Sequence, residues 1–217
     1  MKFLKNLACN FYLAVAVSLI FSLTLPAGAS AQDTPVFDSL KENFDQGMVF
    51  RADFTHRYSD SFTGETEQYE GSIWIGKDRY KIEANNQVMV VDGDVSRVYE
   101  ASKNRVIVSD YVEEEDDFAP SRMLQGVDDS YAISEERGTG DSTEITLESD
   151  DPFSVLQNVT ILLDSQGRPT VIRATDQADN ELITRFQDGE FVEPDGNIFQ
   201  LNEPVNAELI DLRYTDS

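Results

Sequence analysis

Thiols are almost absent from this chain, whose 217 residues include one cysteine, Cys9. Cys9 sits in an N-terminal stretch that reads as an export leader, so the chain beyond the leader has no thiol at all. That excludes disulfides, thiolate metal sites and cysteine–histidine chemistry, and the fold must stand on packing alone. Histidine is equally scarce, with His56 the single example. Basic residues are few, 17 against 41 acidic ones. Lys2 and Lys5 belong to the leader, so the remainder carries 15 against 41, a net charge of −26. Such a chain repels phosphate backbones and anionic lipid surfaces, which excludes nucleic acid as a partner. The acidity suits either a salt-rich habitat, where ions screen self-repulsion, or an ordinary acidic periplasmic protein. It bears on solubility and not on chemistry.

The leader itself has a basic start, the apolar run Phe11 to Leu25, a break at Pro26 and Gly28, and the small residues Ala29-Ser30-Ala31. Cleavage is expected between Ala31 and Gln32, making residues 1–31 a signal peptide and 32–217 a single domain. The competing reading is an uncleaved anchor, for which the apolar run is short. Cys9 precedes that run, so it cannot be a lipidated first residue of the exported chain. An exported protein, free in solution, is expected.

Beyond the leader the pattern opens on one amphipathic helix. Thr34 offers a capping hydroxyl, Pro35 suits the first helical position, and Gly47 can end the helix. Between them Phe37, Leu40 and Phe44 recur at helical spacing and form one apolar face. From Val49 the period becomes two: Phe50, Ala52 and Phe54 alternate with polar residues, and Tyr69, Gly71, Ile73 and Ile75 do the same. Short strands follow at Arg79 to Glu83, Gln87 to Val91, Val95 to Glu100 and Arg105 to Tyr111, punctuated by Asn85-Asn86, Asp92-Gly93 and Lys103-Asn104. The acidic block Glu113 to Asp117 reads as a solvated loop. Phe118 to Val127, with Pro120 near its start and Met123, Leu124 and Val127 as an apolar patch, reads as a second short helix. Strands resume at Tyr131 to Glu136, Thr143 to Glu148, Val159 to Asp164, Thr170 to Asp176 and Glu181 to Phe191. The fold class is mainly β, an antiparallel meander of about ten or eleven strands with a few short helices.

A sheet of this size must curl or find a second layer to hide its apolar face. Few helical segments are available as cover. An unclosed antiparallel half-barrel with helices across its mouth meets both conditions. Its inner face would carry Phe50, Phe54, Tyr69, Ile73, Ile75, Tyr80, Ile82, Met89 and Val91. Periodicity alone leaves two readings open: these residues fill a packed core, or they wall a cavity.

Four stretches bear on that choice: Phe50-Arg51-Ala52-Asp53-Phe54-Thr55, Glu70-Gly71-Ser72-Ile73-Trp74-Ile75, Val90-Val91-Asp92-Gly93 with Tyr99 beyond, and the closing Ile210-Asp211-Leu212-Arg213. In order and spacing they resemble the periplasmic outer-membrane lipoprotein carrier family (LolA-like). The run Arg105 to Tyr111, leading through acidic residues to Pro120-Ser121-Arg122, is similar to the branch found in Bacteroidetes-like bacteria. The resemblance implies a hollow half-barrel that binds acyl chains of lipoproteins. It implies as partners an inner-membrane lipoprotein-releasing ABC transporter and an outer-membrane lipoprotein acceptor, with the carrier a monomer. It also implies a helical lid, for which Phe37, Leu40, Phe44, Met123 and Leu124 are the candidates. In the family a basic residue after the tryptophan-bearing strand bonds to the lid. Lys77 aligns with it and shares inward parity with Ile73 and Ile75, while Arg79 stands close by. The chain departs from the family where a nearby proline is missing and where Arg97 replaces an aromatic residue. A lysine brings a point charge in place of a rigid fork, and a solvated hairpin lysine is the alternative.

No constellation for catalysis emerges. His56 continues the parity of Phe50 and Phe54 and reads as a rim residue, and no serine lies in a nucleophile elbow. Asp92-Gly93-Asp94 starts like a calcium loop, but Arg97 and Lys103 stand where glycine and glutamate are required. Asn158-Val159-Thr160 fits a glycosylation sequon on an expected strand. The expectation is a non-enzyme without metal or cofactor. A protein of the same fold binding a free lipid, or sensing lipoproteins in a regulatory circuit, is the alternative, and a secreted hydrolase is a third class.

Overall fold

The computed structural model describes residues 33–113, 116 and 119–213. The expected signal peptide, its cleavage site and Cys9 lie outside the described residues, as do Glu114, Glu115, Asp117 and Phe118.

The described residues form twelve strands and two α-helices. Helix α1 (Pro35–Asp45) precedes a first meander of β1 (Val49–Ser59), β2 (Thr66–Ile75), β3 (Arg79–Ala84), β4 (Gln87–Asp92), β5 (Val95–Glu100) and β6 (Arg105–Asp110). Helix α2 (Pro120–Gln125) leads to a second meander of β7 (Tyr131–Arg137), β8 (Thr143–Ser149), β9 (Leu156–Leu163), β10 (Pro169–Asp176) and β11 (Glu181–Val192). The short β12 (Glu208–Asp211) follows. All twelve strands belong to one sheet, in the order β12-β6-β5-β4-β3-β2-β1-β11-β10-β9-β8-β7. The two meanders join where β1 pairs antiparallel with β11. Among the described residues no ladder joins β12 to β7, so the barrel stays open.

The eleven expected strands are present, and a twelfth comes from the closing Ile210-Asp211 segment, which lies parallel to β6. A four-residue strand at the chain's end has too little alternation to announce itself, and its partner lies about a hundred residues upstream. Curvature comes from particular places. At Gly71 on β2 a Cβ would lie 2.0 Å from the carbonyl oxygen of Glu83 on β3, so only glycine permits the two strands to approach so closely. The β1–β11 ladder also slips between Arg51 and Asp53, opposite Asp188 at a φ of 52°. A slip of this kind bends a strand and adds twist.

Helix α1 ends as its sequence foretells: Gly47 adopts a φ of 82°, its N–H donates to the Phe44 carbonyl, and the Met48 N–H donates to that of Asn43. Its start differs from expectation. Thr34 makes no side-chain cap. The N–H groups of Val36 and Phe37 instead donate to Glu135 Oε2, at 2.9 and 3.0 Å. A carboxylate from β7, 98 residues away, thus meets the positive end of the helix. Helix α2 is shorter than the expected Phe118–Val127, because Gly126 turns left-handed (φ 111°) and stops it.

Candidate functional site

The concave face of the sheet has a packed half and a hollow half. In the packed half, Phe37, Leu40 and Phe44 of α1 are fully buried against the sheet. Phe44 meets Phe191 edge-on with ring centres 5.5 Å apart, and Phe50 packs on Phe186 and Phe191. Ile75, Ile145, Leu147, Ile161 and Leu163 complete a core with essentially no exposed surface.

Further along the same strands the side chains leave a cavity of about 460 Å³ between them. That is the size of a small-molecule site, for which about 300–1,000 Å³ is usual. Register builds its wall in rows. Gly71, Phe54 and Phe186 lie side by side on β2, β1 and β11. The next row is Tyr69, His56, Thr184 and Ile172, and the outermost is Glu67, Tyr58, Leu182 and Ala174. Ile73, Ile82 and Met123 close the inner end together with Pro120 of α2, and Asp176 stands at the outer end of β10. The wall therefore runs from oily at the α2 end to polar at the mouth.

His56 shows how that gradient is set. Its Nδ1 lies 2.9 Å from Thr184 Oγ1, and its ring leans on Tyr69 with centres 4.8 Å apart. Burial pushes its pKa below the usual 6.5, so the ring stays neutral near neutral pH. The Tyr69 hydroxyl is pushed up by burial and then by the Glu67 charge. Tyr58 is pushed up by desolvation first and then by the charges of Asp60, Asp176 and Glu67.

The nine residues expected to wall a cavity fall into three groups. Phe54, Tyr69, Ile73 and Ile82 line it. Phe50 and Ile75 do not; both are fully buried in the core that includes the apolar face of α1. Tyr80, Met89 and Val91 fall in another cluster with Ala119, Tyr111 and Ile82, where Tyr80 and Tyr111 both donate to Asp116 Oδ2 at 3.0 and 3.1 Å. The helical candidates divide likewise. Phe37, Leu40 and Phe44 are embedded in the barrel away from this cavity, Leu124 is fully buried, and Met123 reaches the cavity wall. Five wall positions on β10 and β11, namely Ile172, Ala174, Leu182, Thr184 and Phe186, escaped sequence reasoning. Their period-two alternation is visible, but which strand faces β1 is not.

The two basic candidates part company. Lys77 Nζ bonds Asp45 Oδ1 at 2.7 Å, at the last residue of α1, and the Lys77 carbonyl accepts from Gln125 Nε2 of α2 at 2.6 Å. The Asp45 carboxylate holds the Lys77 ammonium above its ordinary pKa. Lys77 follows the end of β2, so its side chain runs exposed along the rim and not inward. Arg79 turns to the convex face, 3.9 Å from Asp92 and over the Phe199 ring at 4.8 Å. There the segment 193–207 lays Ile198, Phe199 and Leu201 over Trp74, Val49 and Val90, an outer layer that the strand pattern did not foretell. Among the described residues no group of three histidine, cysteine or acidic side chains is placed to hold a metal ion. No described helix is long and apolar enough to cross a membrane.

No family model matches the chain, and no curated protein matches it. Solved structures do. The chain is similar to an uncharacterized conserved protein from Thermus thermophilus, with 10% identity, a TM-score of 0.52, and coverage of 81% of this chain and 96% of that one. It also matches a LolA superfamily protein from Nitrosomonas europaea, with 13% identity, a TM-score of 0.42, and coverage of 76% and 97%. A domain assigned to outer membrane lipoprotein sorting from Vibrio parahaemolyticus matches at 10% identity and a TM-score of 0.42, covering 76% and 94%. With the Thermus protein this chain shares its fold along nearly the whole of that protein's length.

Proposed function

We propose that this protein is a periplasmic carrier that shelters the acyl chains of lipoproteins in its half-barrel and shuttles them from the inner to the outer membrane. The observation that carries the reading is the hollow half of the concave face, walled by Phe54, Ile73, Met123, Ile172, Leu182 and Phe186 and open at one end. Each methylene moved from water into such a wall gains about 0.8 kcal/mol, so a chain lying in it is held by contact alone. The Lys77–Asp45 pair and the Gln125–Lys77 bond tie both helices to one hairpin, which suits a latch whose opening changes access to the cavity. The sequence resemblance supplies the partners: acylated lipoproteins as cargo, an inner-membrane ABC transporter as donor and an outer-membrane acceptor. The reading needs no cofactor and no catalytic group.

Mass spectrometry of the protein purified from its native export route tests this. A bound acyl group attached to a protein is the expected result, and so is release of acylated cargo from inner-membrane vesicles. Recovery of a free lipid instead moves the reading to lipid binding. Turnover of an ester or glycoside substrate removes the non-enzymatic part of it.

A further inference from the structure

The polar mouth of the cavity has a sign. Its lining holds two ionisable carboxylates, Glu67 on β2 and Asp176 on β10, and no lysine or arginine among the described residues. His56 is kept neutral by burial and brings no compensating cation. Glu67 sits directly across from Tyr58 on β1, and Tyr58 from Leu182 on β11, so the outermost row ends on one side in a carboxylate. Asp176 marks the other side, its carboxylate fixed by the N–H groups of Ala178 and Asn180 at 2.8 and 2.9 Å and by Asn180 Nδ2 at 2.9 Å. Arg57, the neighbour of Tyr58 along β1, is otherwise engaged: it pairs with Glu181 at 2.9 Å and does not line the cavity.

An amphiphile lying in the cavity with its chain toward Ile73, Met123 and Phe186 would bring its head to the Tyr58 row, which Glu67 and Asp176 flank. We propose that Glu67 and Asp176 make this cavity selective for acyl chains with an uncharged or cationic head, and that they reject chains ending in a carboxylate or phosphate. Glu67 is exposed at the rim and Asp176 half-buried, and at low salt both repel a head of the same sign brought beside them. An ester or amide head meets no such opposition, and the Tyr58 and His56 rows offer it polar company. The protein would thus pass over free fatty acids and anionic phospholipids while accepting chains attached through neutral linkages. This inference rests on the acyl-carrying reading and names its ligand class.

Three amphiphiles of equal chain length separate the two: dodecanoate, N-dodecanoyl-methylamide and dodecylammonium, each titrated calorimetrically into the purified protein below micelle formation at low salt. The methylamide and the ammonium should bind roughly tenfold or more tighter than dodecanoate. Glu67→Gln should narrow the preference for the methylamide over dodecanoate several-fold, and adding Asp176→Asn should narrow it again. Because Asp176 also holds its turn, the single Glu67→Gln variant decides the matter if the double variant folds poorly. Equal binding of all three, or a Glu67→Gln variant with an unchanged preference, overturns the selection and leaves acyl carriage standing. If none of the three binds, the carrier reading falls and this inference with it.

Discussion

The two halves of the concave face are made from the same strands and the same residue classes, yet one is solid and the other hollow. Where α1 lies, Phe37, Leu40 and Phe44 are fully buried in one core with Phe50 and Ile75, and Phe44 meets Phe191 edge-on. Beyond α1, Phe54, Tyr58 and Leu182 line the cavity. Length explains the difference. Helix α1 has 11 residues and reaches about 16 Å, whereas the 11 residues of β1 extend about 36 Å. The overhang cannot be filled from α1, and α2, with six residues, contributes only Pro120 and Met123 at its inner edge. Hollowness here follows from cover that is too short, and not from a special wall chemistry.

Deleting a ring from the packed half should have the largest effect. Phe44→Ala should cost about 3–5 kcal/mol of stability, read by denaturant unfolding, since its fully buried ring has no replacement. Acyl binding at the far end should persist in the folded fraction; if it disappears as well, the two halves are one unit and the distinction is wrong. Placing the same larger side chain in each half sharpens the contrast. Ala174→Phe intrudes on the cavity, and losing room for even three methylenes costs about 2.4 kcal/mol of acyl affinity, on the order of fiftyfold. Its unfolding midpoint should barely move. Ala52→Phe, in the packed half, should show the reverse, with about 1–3 kcal/mol lost from stability and ligand affinity little changed.

A smaller effect concerns pH. Because burial lowers the pKa of His56, the unfolded chain binds its proton first as acidity rises. Stability should therefore fall as pH drops below about 6.5, through the lowered folded value, by at most about 1.4 kcal/mol per pH unit within that window. His56→Gln should remove this component of the pH profile, and an unchanged profile would show that the hollow half is wet enough to leave the ring unperturbed. The smallest change is expected at the rim. Lys77→Met removes an exposed ion pair worth about 0–1 kcal/mol, so the melting temperature should hardly shift. Ligand exchange, followed by stopped-flow fluorescence, should quicken if the pair restrains the helices.

Much of this was legible along the chain. Alternation placed Phe50, Ala52, Phe54 and His56 on one face of β1, and helical spacing placed Phe37, Leu40 and Phe44 on one face of α1. Gly47 marked the end of that helix because a left-handed residue there needs no Cβ. What remained hidden is non-local. Glu135 caps α1 from β7, the 193–207 segment covers Trp74, and Ile172, Leu182 and Phe186 complete the cavity wall. Each depends on a pairing across a long stretch of chain, and a period of two says which residues share a face without saying which strand lies alongside.

Local pattern by itself determined the element types, the apolar faces, the acidic charge and the scarcity of cysteine, since these depend on residue spacing and composition. Only the tertiary structure decided which apolar residues would fill a core and which would wall a cavity. That outcome depends on how far a helix reaches along a curled sheet, a distance between elements that no local pattern encodes.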